Sequence, residues 1–149
     1  MYDQYDIENA ALCSWREARS DGSTGMHAVL HCLKNRVGFP GFAHTLHDII
    51  YGKNQFSSMS VPSDPEFSLD PHDITKVSKE DYILYMAALD LAQIVLNTDD
   101  ADPTGNAHYY ANLKTANSGW FARNISGPDG NGTPEHPKTV QILHHTFYK

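Results

Sequence analysis

Ser23-Thr24-Gly25-Met26-His27-Ala28-Val29-Leu30-His31-Cys32-Leu33-Lys34-Asn35-Arg36-Val37 is the stretch on which the fold turns. Met26, Val29, Leu30, Leu33 and Val37 recur at i, i+3, i+4, i+7 and i+11, which is one face of an α-helix. Ser23 or Thr24 can cap its start. Gly38 supplies the residue that ends it, and Pro40 prevents continuation. Upstream, Arg19-Ser20-Asp21-Gly22-Ser23 reads as a turn. Before it a first helix is predicted over 7–18, capped by Asp6, with Ile7, Ala10, Ala11, Trp15 and Ala18 as its apolar stripe. Downstream, a short helix over 45–51 points Leu46, Ile49 and Ile50 inward, and Gly52 ends it.

Residues 53–77 are rich in Ser, Pro and Asp and read as a long surface loop, a kind of segment that often carries function. Ser78-Lys79-Glu80-Asp81 has the form of a capping box. It opens a helix over 79–96 that is apolar nearly all round from Tyr82, which predicts a central, buried element. After Asn97 the pattern changes. Segments 107–111 and 140–147 are short and β-prone. Between them Gly127, Pro128, Gly130, Gly132, Pro134 and Pro137 mark turns. Helices followed by a small antiparallel sheet give an α+β fold. The chain shows no internal repeat and no linker, so 1–149 is expected to be a single domain.

Composition narrows the function classes. The 149 residues suffice for one core. A net charge of −7 without a Lys/Arg cluster argues against nucleic acid and anionic membranes as partners. No apolar run approaches the ~20 residues of a membrane span, so no membrane insertion is expected. The acidic start Met1-Tyr2-Asp3-Gln4-Tyr5-Asp6 has neither part of a secretory signal, and localisation stays open. The two cysteines, Cys13 and Cys32, are too few for a disulfide framework and lack metal-binding spacing. They read as small buried hydrophobes, with a single disulfide between neighbouring helices as the alternative.

The candidate for chemistry is Glu17, in Leu12-Cys13-Ser14-Trp15-Arg16-Glu17-Ala18-Arg19. Two readings stand on the local sequence. In one, Glu17 ends its helix paired with an arginine. In the other it is a general acid on a cleft wall, with Trp15 and the apolar helix raising its pKa while Arg16 and Arg19 oppose the rise. Glycoside cleavage needs such an acid, because the leaving oxygen must be protonated as positive charge develops at the anomeric carbon.

The ordered set Glu17-Ala18-Arg19, Leu33-Lys34-Asn35-Arg36-Val37, Gln55-Phe56, Asp102-Pro103-Thr104-Gly105-Asn106-Ala107-His108-Tyr109-Tyr110, Trp120 and His145-Thr146-Phe147-Tyr148 resembles the SleB-type cell wall hydrolases. The resemblance spans about residues 10–148. It implies a lysozyme-like domain acting on the glycan strand of peptidoglycan, in which Glu17 is the catalytic acid. It also implies a lytic transglycosylase reaction that closes a 1,6-anhydro ring without a second carboxylate and without cofactor or metal. Gln55, Phe56, Tyr109, Tyr110, Trp120 and His145 are the substrate-binding candidates it supplies. Tyr109 and Tyr110 lie on a strand, so one can line the cleft while the other packs. Asn35 and Arg36 read as structural groups closing the helix end. Asn106 in place of a glycine, His108 before the tyrosines, and long 53–77 and 127–137 segments depart from the family pattern.

Four alternatives remain beside this reading. One is a hydrolytic muramidase. Another is a zinc-dependent amidase, for which His27 and His31 have i, i+4 spacing; with no H-E-x-x-H and a position off the apolar stripe, they read instead as a solvated pair. The third is calcium binding by Asp100-Ala101-Asp102-Pro103-Thr104-Gly105, which lacks a glutamate at position 12 (Ala111) and reads as a turn with carboxylate caps. The fourth is a non-catalytic glycan-binding module.

Overall fold

The computed structural model describes residues 1–115 and 119–149. The elements run α1 (Gln4–Ala18), a 3-10 turn (Arg19–Asp21), α2 (Gly22–Arg36), α3 (Leu46–Tyr51), α4 (Ser57–Ser60), α5 (Lys79–Asn97), β1 (Tyr109–Ala111), α6 (Gly119–Phe121), a π-type turn (Ala122–Ser126), β2 (Lys138–Ile142) and β3 (His145–Tyr148). The fold is α+β, as expected. Among the described residues no helix is long and apolar enough to cross a membrane.

Helix α1 starts earlier than the sequence suggests. Asp3, not Asp6, is its cap: the Asp3 carboxylate accepts from the Asp6 N–H, and Asp6 reaches back to the Asp3 N–H. Asp6 is thus the second half of a capping box. Helix α2 likewise begins at Gly22, ahead of Ser23 and Thr24, with Asp21 at its N-cap position. The start of α5 matches the expected one, with Ser78 accepting from the Asp81 N–H at 3.0 Å.

Helices α1, α2 and α5 pack against one another. Trp15, Met26, Val29, Leu30, Leu33 and Val95 fill the space between them, and Ala10, Ala11, Ala88 and Ala92 let the backbones approach. Cys13 and Cys32 are both buried free thiols. The central helix is α2, not α5. Its Met26/Val29/Leu30/Leu33 side faces the other helices, while Ala28 and Cys32 face the sheet and meet Ala107 and Phe147. Helix α5 is covered on one side only. Tyr82, Ile83, Met86 and Ile94 of its other side are 38–55% exposed, so its all-round apolar pattern does not mean all-round burial.

The sheet has the order β1-β3-β2, antiparallel throughout, and all four residues of the middle strand β3 are buried. Tyr110 pairs with Phe147, and Val140 pairs with Phe147 from the other side. The predicted 140–147 segment is therefore two strands and a turn. Leu143 makes that turn with φ 51, a left-handed conformation that leucine rarely adopts. No glycine or asparagine marks the turn, which is why the sequence reads as one strand.

The 53–77 loop is ordered by local caps. Asp64, Asp70 and Asp73 accept from the N–H groups of Glu66, His72 and Thr75, two residues on. Replacing Leu143 by asparagine, which tolerates the left-handed region, should raise stability by about 0.5–1 kcal/mol. That corresponds to a melting temperature about 1–3 °C higher. An unchanged or lower midpoint in a thermal melt would show that the turn carries no strain.

Candidate active site

Glu17 lies one residue before the end of α1. Its carboxylate accepts from Ser58 Oγ at 2.6 Å and from the Tyr110 hydroxyl at 3.0 Å. Ser58 comes from α4 and is almost fully buried; Tyr110 comes from β1. Burial, reinforced by the negative charge of Glu17, pushes the Tyr110 hydroxyl well above its ordinary pKa. It therefore keeps its proton at neutral pH and serves as a donor.

The surroundings expected for Glu17 are arranged differently. Trp15, two residues back, points to another side of the helix. It is fully buried, donates its indole N–H to the Asp81 carbonyl at 2.7 Å, and meets the edge of Tyr85. Arg16 donates to the carbonyls of Ser58 (2.9 Å) and Leu69 (2.8 Å). Arg19 pairs with Glu66 and Asp81 and stacks over Trp15. Together the two arginines fasten the 53–77 loop and the start of α5 to the end of α1 and the 3-10 turn after it. The paired helix-end reading of Glu17 is not the arrangement observed.

Glu17 opens into a cavity of about 840 Å³. Of the residues expected from sequence, Glu17, Gln55, Tyr110 and His145 line it together. The other three do not. Phe56 is 4% exposed and belongs to the helical core, where Arg36 lies 5.1 Å over its ring. Tyr109 faces the opposite side of the strand and packs on Phe42 and His136. Trp120 is 59% exposed, and its neighbour Phe121 lines the cavity in its place.

Arg36 holds this wall from behind. Its guanidinium is buried, donates to the His108 carbonyl at 2.6 Å and reaches Gln55 Oε1 at a long 3.5 Å. Asn35 donates to Asp102 and to the Ala107 carbonyl. The structural role expected for this pair is observed, but it works by fastening the segment before β1 to α2 rather than by neutralising a helix end. His108 stacks on Phe39, with ring centroids 3.6 Å apart.

A second group was legible in the sequence only through His145. The Asp21 side chain is 1% exposed and sits between His144 of the β2–β3 turn and His145, the first residue of β3. His145 Nδ1 lies 2.9 Å from one carboxylate oxygen, and His144 Nδ1 bonds the other. Burial alone would raise the Asp21 pKa, yet the bonds from His144 and His145 more than offset it and hold the carboxyl below 3.8. Both histidines line the cavity, so Asp21 positions them from behind. Gly25 makes this approach feasible, because a Cβ there would stand 2.4 Å from Asp21 Cβ.

The His27/His31 pair is not solvated as the sequence suggested. His31 is 2% exposed, and the rings of both approach Asp100 from the loop after α5. These residues share none of the lining of the Glu17 cavity, which removes the pair as the catalytic zinc centre of that cleft. The neighbouring Asp102 forms the carboxylate-capped turn expected, accepting from the N–H groups of Thr104 and Asn106 and from the Thr104 hydroxyl.

Residues 20–148 match the family model described as Cell Wall Hydrolase. The chain is 30% identical over 120 residues to the spore cortex-lytic enzyme of Oceanobacillus iheyensis, covering 80% of this chain and 37% of that protein. It is also 30% identical to that of Bacillus cereus, covering 80% of this chain and 39% of that one. The chain thus spans less than two fifths of the length of these relatives. Among solved structures it is similar to the catalytic domain of the Bacillus cereus SleB protein, with TM-score 0.65, 27% identity, and 100% and 93% coverage of the two chains. It is likewise similar to the catalytic domain of the germination-specific lytic transglycosylase SleB from Bacillus anthracis, with TM-score 0.66, 27% identity, and 99% and 97% coverage.

Because the folded-state pKa of Asp21 is lowered, its ionisation stabilises the fold above the ordinary carboxylate pKa of 3.8. That contribution is lost as pH falls through the lowered value. Asp21→Asn should therefore cost about 1–3 kcal/mol at pH 6, from histidine donors left poorly paired. The gap to wild type should shrink below about pH 3.8. Urea melts across pH 3–7 read this directly; a gap that stays constant would remove Asp21 as an ionised anchor.

Proposed function

The chain belongs to the cell wall hydrolase family, and from that footing we propose that it cleaves the glycan strand of peptidoglycan with Glu17 as its single acid–base residue. The observation that carries this reading is the Glu17 carboxylate, held by two hydroxyls at the wall of a large open cavity. The family match begins at residue 20, so the role of Glu17 rests on this geometry and on the resemblance of the Glu17-Ala18-Arg19 triplet. Residues 1–149 act as one catalytic unit in this reading, since the helical core and the sheet share α2.

Ser58 and Tyr110 suit a group that must gain and lose a proton. A hydroxyl can accept as well as donate. The Glu17 carboxyl can therefore change protonation state without leaving a buried polar partner unsatisfied. The same contacts fix its direction, which matters because misplacement by about 1 Å can cost about a hundredfold in rate.

Among the described residues lining the cavity, Glu17 is the one carboxylate. Schemes with two carboxyls place the second about 5–5.5 Å away for retention or about 6.5–9.5 Å away for inversion. Asp21 lies outside the lining, with both oxygens engaged by histidines. This favours the lytic transglycosylase course. Glu17 protonates the bridge oxygen as the bond from the N-acetylmuramic acid anomeric carbon to that oxygen breaks. The resulting carboxylate then takes the proton from the sugar's own C6 hydroxyl as its oxygen bonds to the anomeric carbon. A 1,6-anhydro ring forms and no water is consumed. Gln55 and Asn112 offer amides for N-acetyl groups, and Phe121 offers a ring for a sugar face.

Mass spectrometry of soluble products from purified peptidoglycan tests the reaction. Wild type should release fragments ending in 1,6-anhydromuramic acid, and Glu17→Gln should lower the rate by about 10²–10⁴-fold. Reducing-end products would make the enzyme a hydrolase; wild-type activity in Glu17→Gln would sink the assignment. Free stem peptides would indicate an amidase, and binding without release a glycan-binding module.

The two tyrosines should separate. Tyr110→Phe, which removes a Glu17 donor, should lower kcat about 10- to 100-fold. Tyr109→Phe should stay near wild type, because its ring packs away from the cavity. Equal losses in both would mean that the strand is oriented wrongly in this account.

A further inference from the structure

We propose that His27, His31 and Asp100 form a binding site for a borderline divalent transition metal, zinc by chemical type, that ties α2 to the loop between α5 and β1. This site is separate from the Glu17 cavity and does not depend on the glycan-cleavage reading.

The two histidines stand one helical turn apart on α2, with ring centroids 4.8 Å apart. Both Nε2 atoms converge on the same oxygen of Asp100, at 2.5 and 2.9 Å. The three ligand atoms all lie within 4.8 Å of one another. Tetrahedral zinc with bonds near 2.0–2.1 Å sets its ligands roughly 3.3 Å apart. A shift of under about 1 Å in each donor therefore takes the cluster from hydrogen-bonded to metal-bound geometry.

The donor set selects the metal. Two imidazole nitrogens and one carboxylate oxygen suit zinc, cobalt or nickel, whereas calcium and magnesium prefer oxygen donors throughout. Asp100 adds a negative charge to the two neutral imidazoles, as a divalent cation requires. Burial is graded suitably as well. The His31 side chain is 3% exposed, while those of His27 and Asp100 are about one quarter exposed, leaving a water-accessible side for a fourth ligand.

Support lies behind the donors. Asp102 Oδ1 is 3.8 Å from His31 Nδ1, the ring nitrogen turned away from Asp100. A carboxylate on the far nitrogen is the usual partner of a metal-bound imidazole. Asp102 is itself fixed by Thr104, Asn106 and Asn35. A metal here would join α2 to the loop that leads into β1 and thus to Tyr110.

The test uses the full chain without a histidine tag, stripped with EDTA and moved to chelator-free buffer. Cobalt(II) chloride should give a visible ligand-field band that saturates at one equivalent and is displaced by zinc chloride. Zinc at 100-fold excess over Kd should raise the melting temperature by about 5–10 °C, and calcium chloride should not. His27→Ala and Asp100→Asn, with folding confirmed by far-UV circular dichroism, should each weaken cobalt binding by about 100-fold or more. A wild type without the band, or either variant at wild-type affinity, overturns the site. Loss in His144→Ala with retention in His27→Ala would put the metal at the Asp21 cluster and overturn it equally.

Discussion

The burial of α2 on two unlike faces is the constraint on which the other features depend. A helix covered on one side can use large apolar residues and leave the rest polar. Helix α2 must also receive a sheet, and it does so with Ala28 and Cys32, whose small side chains let Phe147 and Ala107 close over them. The same helix carries Arg36 and Asn35 at one end, where they fasten the segment before β1. At its other end Gly25 admits Asp21, which anchors the β2–β3 turn. The sheet is thus held to the helices at both ends of one element and along its length. This lets strands of three to five residues, too short to be stable alone, carry groups that line the cavity.

That arrangement also explains how the cavity draws its walls from distant parts of the chain. Glu17 comes from α1 and its partner Ser58 from α4, Tyr110 from β1, His144 from the β2–β3 turn and His145 from β3. Each is tied to a buried group rather than left on a free loop. Arg16 and Arg19 are the counterpart on the outer side. By spending their hydrogen bonds on Ser58, Leu69, Glu66 and Asp81, they bring the 53–77 loop into place as a wall. Their charges are engaged there, away from the carboxylate beside them in sequence.

Much of this was legible in the sequence, and the failures have physical causes. The 3.6-residue apolar period of α2 and the change in character after Asn97 gave the helix-then-sheet order. Period-2 alternation separated Tyr109 from Tyr110. What stayed hidden was whatever depended on a second surface arriving from elsewhere. His31 lies off the apolar stripe, so its burial appears only once the loop carrying Asp100 packs beside it. Leu143 is hidden for the opposite reason: leucine has no turn preference, and strand pairing overrides its local cost. Ser58 is one hydroxyl in a serine-rich run, with nothing local to single it out.

Trp120 and Phe56 show a further limit. An aromatic residue in such a pattern has two uses, as an exposed ring for a ligand to stack on or as filling for a core, and a linear pattern cannot separate them. Phe56 follows Gln55, and the turn into α4 sends the two side chains apart, the amide to the cavity and the ring to the core. Its burial beneath Arg36 still bears on the cavity, because the same guanidinium reaches Gln55 and lies 6.0 Å over the Tyr110 ring. Arg36 is therefore the point at which packing and site geometry meet. A cation buried among three aromatic rings is costly to place unless its donors are satisfied. The His108 carbonyl that satisfies it belongs to the segment entering β1. Satisfying the buried charge thus fastens the strand that carries Tyr110, and the position of the hydroxyl that donates to Glu17 follows from the electrostatics of the core.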